Sequence, residues 1–201
     1  MVKKFCFGVV LQLVAFGMSL TPAGAATPTA FVKNILDEVM AIQTNPALEG
    51  PAHEAARAQA IRRIIQEKFD FPHMAQSTLG GAYDRLSAGQ RREFTDVFSS
   101  LFQASYTNMV LRFLKQETVK YSKESVSGAQ ARVHTTLVRS NDNIQVEYLL
   151  HQKGGNWLLY DVVVDGVSIL EQYRSGFARE IQARSFESLL DKMKTQLKAV
   201  R

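Results

Sequence analysis

Residues 130–164, QARVHTTLVRSNDNIQVEYLLHQKGGNWLLYDVVV, carry the clearest indication of the fold. Apolar and polar residues alternate here with a period of two, which predicts β-strands separated by short turns. With one similar run upstream, the strand-like segments are 117–126, 130–140, 143–152 and 156–164. The turns between them contain Gly128, Asn141-Asp142 and Gly154-Gly155. Turns of this chemistry join antiparallel hairpins, so we predict a four-stranded antiparallel sheet.

The central hairpin predicts which side chains share a face. If Asn141-Asp142 is a two-residue turn, Leu137 pairs with Val146, Thr135 with Tyr148, and Val133 with Leu150. This face is apolar and should meet the rest of the core. The opposite face should be solvated, and it carries Arg132, His134, Thr136, Glu147, Leu149 and His151.

The fourth strand is apolar on both faces. Alternation places Trp157, Leu159 and Val163 on one side of it. The residues on the other side are Leu158, Tyr160, Val162 and Val164. Its orientation therefore depends on whether the Gly154-Gly155 turn carries a bulge, which the pattern leaves open.

Helical periodicity dominates on both sides of the strands. Helices are predicted over about 31–42, 53–68, 87–113, 169–184 and 186–198, with a short segment ending at Leu79. Ser87 and Gln90 form a capping box at the start of the longest helix. The resulting fold is a single α+β domain whose helices pack on one face of the sheet.

The first 25 residues have the pattern of a secretory signal peptide. Lys3 and Lys4 precede an apolar run, and Ala23-Gly24-Ala25 supplies an A-x-A cleavage site. The run is short for a membrane anchor, which is the alternative. Cleavage leaves one domain, residues 26–201, and lowers the formal charge from +5 to +3. It also removes Cys6, the only cysteine, so the mature chain has no disulfide, thiol nucleophile or thiolate metal site.

The mature sequence lacks the motifs of several enzyme classes. There is no Walker loop, G-x-G-x-x-G or H-E-x-x-H motif. Ser168, His134 and Asp161 could suggest a hydrolase, but Ser168 lies outside a G-x-S-x-G elbow. His134 and His151 share a predicted face without a convincing third metal ligand. The basic residues are scattered and form no nucleic-acid footprint. We therefore expect no enzyme activity, metal or cofactor.

The longest helix carries an unusually aromatic stripe that includes Phe94, Phe98, Phe102, Tyr106 and Phe113. Such a stripe is typical of a filled core. The alternative is that sheet and helices stand apart and enclose a ligand pocket, part of which this stripe lines. Composition alone favours the filled core.

A set of fragments spread over residues 30–198 resembles one known family. They are Phe69-Asp70-Phe71, Met74-Ala75, Leu79-Gly80, Tyr83, 87–90, Phe94, Phe98, Tyr106, 144–148, Trp157, 161–164, Gly166-Val167-Ser168, Tyr173-Arg174 and Phe177. Their order and spacing together are similar to the MlaC-type proteins, the toluene-tolerance family of periplasmic phospholipid carriers. Gly81-Ala82-Tyr83 departs from the pattern, because the family often has bulkier residues before this aromatic.

The resemblance implies a periplasmic carrier with a cystatin/NTF2-like fold and an apolar pocket between sheet and helices. It implies a diacyl phospholipid cargo that shuttles between an outer-membrane lipoprotein complex and an inner-membrane MCE-domain ABC transporter, maintaining outer-membrane lipid asymmetry. Two alternatives stay open: another apolar cargo such as a hopanoid, or a non-carrier interaction module.

The pocket wall is assigned to large apolar residues on the long helix, the inner sheet face and the helix after the last strand. They are Phe98, Leu101, Tyr106, Val110, Val133, Val146, Tyr148, Trp157, Val164, Ile169 and Phe177. Arg174 resembles the basic member of the family's aromatic–basic pair and is a candidate for contact with the phosphate; the alternative, which the residue type favours, is a surface or helix-capping arginine.

Overall fold

A computed structural model of the chain describes residues 26–114 and 117–200. The predicted signal peptide, residues 1–25, lies outside the described residues. Within the described part, no helix is long and apolar enough to cross a membrane.

The described residues form seven α-helices and five strands, and the strands lie between two helical regions as predicted. The helices are α1 (Pro28–Gln43), α2 (Glu54–Lys68), α3 (Phe71–Leu79), α4 (Gly81–Asp84), α5 (Ala88–Phe113), α6 (Ile169–Ala183) and α7 (Phe186–Ala199). The strands are β1 (Thr118–Ser127), β2 (Gln130–Val138), β3 (Asn143–Lys153), β4 (Asn156–Val164) and β5 (Val167–Ser168). Short 3-10 turns at Pro46–Leu48 and Pro51–His53 join α1 to α2. The α+β fold is confirmed.

The capping box predicted at the start of α5 is present. The Gln90 backbone N–H donates to Ser87 Oγ at 3.2 Å, and the Ser87 N–H donates to Gln90 Oε1 at 2.9 Å. These two bonds satisfy amide groups that the first turn of a helix leaves without partners. They fix the start of the 26-residue helix that spans the domain.

The sheet is antiparallel in the order β1-β2-β3-β4-β5, so the prediction of four strands is one short. The added strand, β5, has only two residues and pairs Val167 with Val164 across a tight turn. Asp165 and Gly166 form this turn with positive φ angles of 47° and 80°. A two-residue strand is too short to show alternation, which is why periodicity did not predict it.

The predicted β2–β3 register is wrong by two residues. Leu137 pairs with Ile144, Thr135 with Val146 and Val133 with Tyr148. The turn lies one residue earlier than assumed, at Ser140-Asn141, and it is closed by the Arg139 N–H donating to the Asp142 carbonyl at 3.0 Å. Because a shift of two preserves the facing of every side chain, the predicted inner face is nevertheless confirmed.

The orientation of β4 is settled by a bulge at Tyr160 and not at the glycine turn. Leu150 pairs with Leu159 while the preceding Leu149 pairs with Asp161, so Tyr160 is the extra residue. Before the bulge, Trp157 and Leu159 face inward; after it, Val162 and Val164 take the inner face. One strand thus presents apolar residues to the core along its whole length.

Candidate functional site

A narrow apolar cavity of about 230 Å³ lies between α1, α2, α5 and the inner face of the sheet; we call it the inner cavity. Its exposed end is marked by Phe113, which is 44% exposed, and by Asp165. Its buried end is closed by Phe69 and Leu159. The remaining wall is Ile35, Leu36, Val39, Ile61, Ile64, Ile65, Tyr106, Met109, Val110, Leu114, Leu137, Ile144, Val146, Tyr148, Val162 and Val164.

The polar groups of this wall are few. Asp165 is the charged residue of the lining, and its carboxylate accepts from the Gln145 N–H at 2.9 Å. Burial raises the pKa of Tyr148 well above its ordinary value, an effect that a hydrogen bond with the Thr135 side chain only partly offsets. Burial also raises the pKa of Tyr106, so both phenols stay neutral. Apart from Asp165 at the exposed end, the cavity therefore offers a ligand an uncharged contact surface.

A second space of about 630 Å³, the helical cleft, opens between α5, α6 and α7. Its floor is apolar and includes Phe102, Ile169, Phe177, Leu189 and Met193. Polar side chains lie around it: Ser105, Gln172, Glu180, Lys192 and Gln196. Tyr106, Met109 and Val164 belong to the walls of both spaces, so the inner cavity and the helical cleft adjoin along these three residues.

The helical cleft is positioned by a hydrogen-bonded joint at the start of α6. The buried Asp161 carboxylate accepts from the N–H groups of Val162 and Leu170 at 2.8 and 2.9 Å. Its second oxygen accepts from the Ser168 hydroxyl at 2.5 Å, and that hydroxyl caps α6 by accepting from the Glu171 N–H. Hydrogen bonds to a charged group are strong, so they hold the first turn of α6 in place beside the sheet.

A similar joint fixes the closed end of the inner cavity. Asp70 caps α3, and its N–H donates to the Leu159 carbonyl at 2.9 Å. Its carboxylate lies 2.9 Å from Lys153 Nζ and 3.1 Å from His151 Nε2. These contacts hold the preceding residue, Phe69, against the sheet.

The residues considered for a hydrolase lie at two separate places in the fold. Ser168 and Asp161 contact each other, but both are used to begin α6. His134 lies on the outer face, where its Nδ1 is 3.7 Å from the Glu147 carboxylate. His151 turns to Asp70 instead. Over residues 26–114 and 117–200, no three His, Asp or Glu side chains are placed to hold a metal ion.

The predicted wall residues fall into three groups. Tyr106, Val110, Val146, Tyr148 and Val164 line the inner cavity. Tyr106 and Val164, with Ile169 and Phe177, line the helical cleft. The others, Phe98, Leu101, Val133 and Trp157, are buried in the packed core and line neither space.

Arg174 lies on the exposed side of α6. Its side chain is 60% exposed and 3.5 Å from the Glu171 carboxylate, and it lines neither space. This placement provides no contact between Arg174 and the apolar interior.

Sequence reasoning missed the wall that α1 and α2 provide. The residues concerned are Ile35, Leu36, Val39, Ile61, Ile64 and Ile65, together with Phe69, which directly follows α2. Ile35 and Val39 recur at helical spacing, and Ile61, Ile64 and Ile65 form the apolar edge of an otherwise polar helix. That signal shows a buried face but does not say whether the face meets side chains or a cavity.

A polar groove of about 1140 Å³ near the end of α5 is larger than either apolar space. Its lining includes Glu54, Arg57, Arg112, Glu117 and Arg139. The Arg139 Nε lies 3.4 Å from the Glu117 carboxylate, and the guanidinium also lies over the Phe113 ring. Charged walls disfavour hydrocarbon because their hydration would be lost, so this groove is no site for an apolar ligand.

Fold and site together define an α+β domain with a largely apolar cavity between its sheet and its helices. The MlaC protein family model matches residues 33–195, and the chain belongs to the MlaC family. The recognition made from sequence fragments is thereby confirmed.

Two curated relatives match over most of their length. The Haemophilus influenzae "intermembrane phospholipid transport system binding protein MlaC" is 21% identical over 197 residues, covering 95% of this chain and 92% of the relative. The Pseudomonas putida "toluene tolerance protein ttg2D" is 24% identical over 177 residues, covering 87% of this chain and 81% of the relative.

A solved structure shares the fold. It is the phospholipid-binding protein from Ralstonia solanacearum in complex with a phospholipid. It superposes with a TM-score of 0.76 at 23% identity, covering 87% of this chain and 99% of the other.

Proposed function

We propose that this protein binds a diacyl phospholipid and carries it through the periplasm between an outer-membrane lipoprotein complex and an inner-membrane MCE-domain ABC transporter. The observation that carries the proposal is the inner cavity, whose lining is apolar except at its exposed end and which adjoins the helical cleft. The names of the two curated relatives and the phospholipid in the Ralstonia solanacearum structure support it. Residues 1–25 have the signal-peptide pattern that export requires, and residues 26–201 form the carrier domain.

The energetics explain why such a cavity is needed. Burying a methylene is worth about 0.8 kcal/mol, so two acyl chains with roughly thirty methylenes resist entering water by about 24 kcal/mol. A carrier must replace most of that apolar contact along its route. The aliphatic and aromatic wall of the inner cavity supplies such contact, and its neutral tyrosines add no charge that would repel hydrocarbon.

The available volume favours tails that use both spaces. The inner cavity, at about 230 Å³, is smaller than the roughly 300–1,000 Å³ of typical small-molecule pockets. Adding the helical cleft brings the volume into that range. The headgroup then stays at the surface of the cleft, where Gln172, Lys192 and Gln196 provide polar contacts. Arg174, on the exposed side of α6, remains a candidate for a phosphate contact at the surface.

Extraction of the native protein tests this proposal. The mature chain is purified from the periplasm without detergent, extracted with organic solvent, and the extract is analysed by lipid mass spectrometry. Stoichiometric diacyl phospholipid is the expected result. A polycyclic lipid without phosphate in the extract would show that the cargo belongs to another lipid class. Protein that is free of lipid and binds no added phospholipid would favour a packed interaction module.

The shuttle itself needs a second experiment. Loaded protein is incubated with the purified inner-membrane transporter in vesicles of phosphatidylethanolamine and phosphatidylglycerol, and lipid remaining on the protein is measured. Exchange only in the presence of the transporter is expected. Equal exchange with plain vesicles would contradict the requirement for a partner complex.

A further inference from the structure

The wall between the inner cavity and the helical cleft consists of residues that differ in mobility. Tyr106 is held between two rings, with centroids 5.5 Å from Phe69 and 5.4 Å from Phe102. Val164 is β-branched and sits in a strand between β3 and β5. Met109 is half-buried and unbranched, so it can change rotamer more freely than the other two. The three residues that lie between the two apolar spaces therefore include one flexible thioether.

The two spaces have different shapes. The inner cavity is narrow and buried at its far end, and its lining is almost wholly apolar. The helical cleft has an apolar floor but carries Gln172, Lys192 and Gln196 beside it. Each space thus has one end in contact with polar surroundings and an apolar interior. That is the requirement for a single amphiphile with one hydrocarbon chain.

We propose that the inner cavity and the helical cleft are separate compartments for one acyl chain each, so that the protein also binds single-chain phospholipids, two per molecule. A diacyl lipid spans the compartments with its glycerol near Met109. A lysophospholipid has only one chain, and it fills one compartment. This inference rests on the proposed function for the identity of the cargo, but it makes a separate statement about stoichiometry.

The first test uses the unmodified chain. Delipidated mature protein is titrated separately with palmitoyl-oleoyl phosphatidylethanolamine and with palmitoyl lysophosphatidylethanolamine below its critical micelle concentration, and the complexes are counted by native mass spectrometry. We expect one diacyl lipid or two lysolipids per protein. Saturation at a single lysolipid would overturn the two-compartment inference while leaving phospholipid binding intact. Two lysolipids without any diacyl complex would instead contradict the proposed cargo.

Two variants block one compartment each. Gly176 lines the cleft on α6, and a Cβ added there meets no atom within 4 Å, so Gly176→Phe introduces a ring without backbone strain. Ile144 is half-buried and lines only the inner cavity, so Ile144→Trp fills its open end. Each variant should lose the diacyl lipid and halve the lysolipid count from two to one. Loss of both lysolipids in either variant would show a single shared space.

The matched control is Gly89→Phe. Gly89 lies in the first turn of α5, where an added Cβ meets only Ser87 Oγ at 3.9 Å, and it lines neither space. This variant should keep both stoichiometries unchanged. If Gly89→Phe also binds fewer lysolipids, the added ring itself reduces binding wherever it is placed. The losses in Gly176→Phe and Ile144→Trp would then not support two compartments. Circular dichroism is used to check that all three variants are folded.

Discussion

Val146→Trp is the perturbation that most directly probes the inner cavity. Val146 is 4% exposed, pairs with Thr135 and Val164, and projects from the inner face of β3 into the cavity wall. A tryptophan here adds a bicyclic ring to a space of about 230 Å³, and so it displaces hydrocarbon. Overpacking a core costs about 1–3 kcal/mol of stability, and the adjacent space reduces that cost.

The loss of binding is estimated from the methylenes displaced. If the ring excludes only three of them, the lost burial is about 2.4 kcal/mol at about 0.8 kcal/mol each, which lowers affinity roughly 50-fold. Displacement of a fluorescent phospholipid measures the affinity, and lipid mass spectrometry measures the occupancy after purification. The variant should be folded and largely free of lipid.

Glu147→Trp is the matched control, one residue along the same strand. Glu147 faces outward, and its carboxylate is 2.9 Å from Arg132 Nη1. Surface ion pairs contribute about 0–1 kcal/mol, so this variant should remain stable and keep its phospholipid. Equal loss of lipid in both variants would refute the assignment of the inner face or the location of the site.

Three further predictions concern the framework around the site. Asp161→Asn removes the charge from three hydrogen bonds at the start of α6 and should lower the free energy of unfolding by about 3 kcal/mol in urea titrations; an unchanged midpoint would contradict this role. Burial tends to raise the pKa of Asp70, but hydrogen bonds from Lys153 and the His73 N–H outweigh it and hold that pKa below the ordinary carboxyl value. Because a lowered carboxyl pKa stabilises the folded state above the unfolded value, stability should fall as the pH drops below about 4, and Asp70→Asn should flatten that dependence in acid titrations followed by circular dichroism. Phe94→Ala, at a fully buried residue that lines neither apolar space, should cost about 3–5 kcal/mol in thermal unfolding yet leave lipid occupancy per folded molecule unchanged.

Strand facing was predictable from the sequence because alternation has a period of two. The register of Leu137 was wrong by two residues, yet every side chain kept its face. The bulge at Tyr160 was not predictable, because β4 is apolar on both faces and no glycine or proline marks the inserted residue. The two-residue β5 likewise leaves no periodic signal.

The site was only partly predictable for a physical reason. Val146 and Phe98 both have apolar side chains on faces that point inward, but Val146 meets a cavity while Phe98 packs against Phe94 and Phe102. Periodicity reports burial, and a cavity arises from the distance between elements, which depends on the whole packing. The contribution of α2 was missed on the same ground, since Ile61 and Ile64 are equally consistent with a filled core.

Lipid content of the protein as it leaves the cell tests the central claim most directly. The mature chain is isolated from the periplasm without detergent, and its phospholipid is quantified against protein by mass spectrometry. We expect one diacyl phospholipid per molecule. Protein that emerges without lipid, and that binds none from added phosphatidylethanolamine, would contradict it.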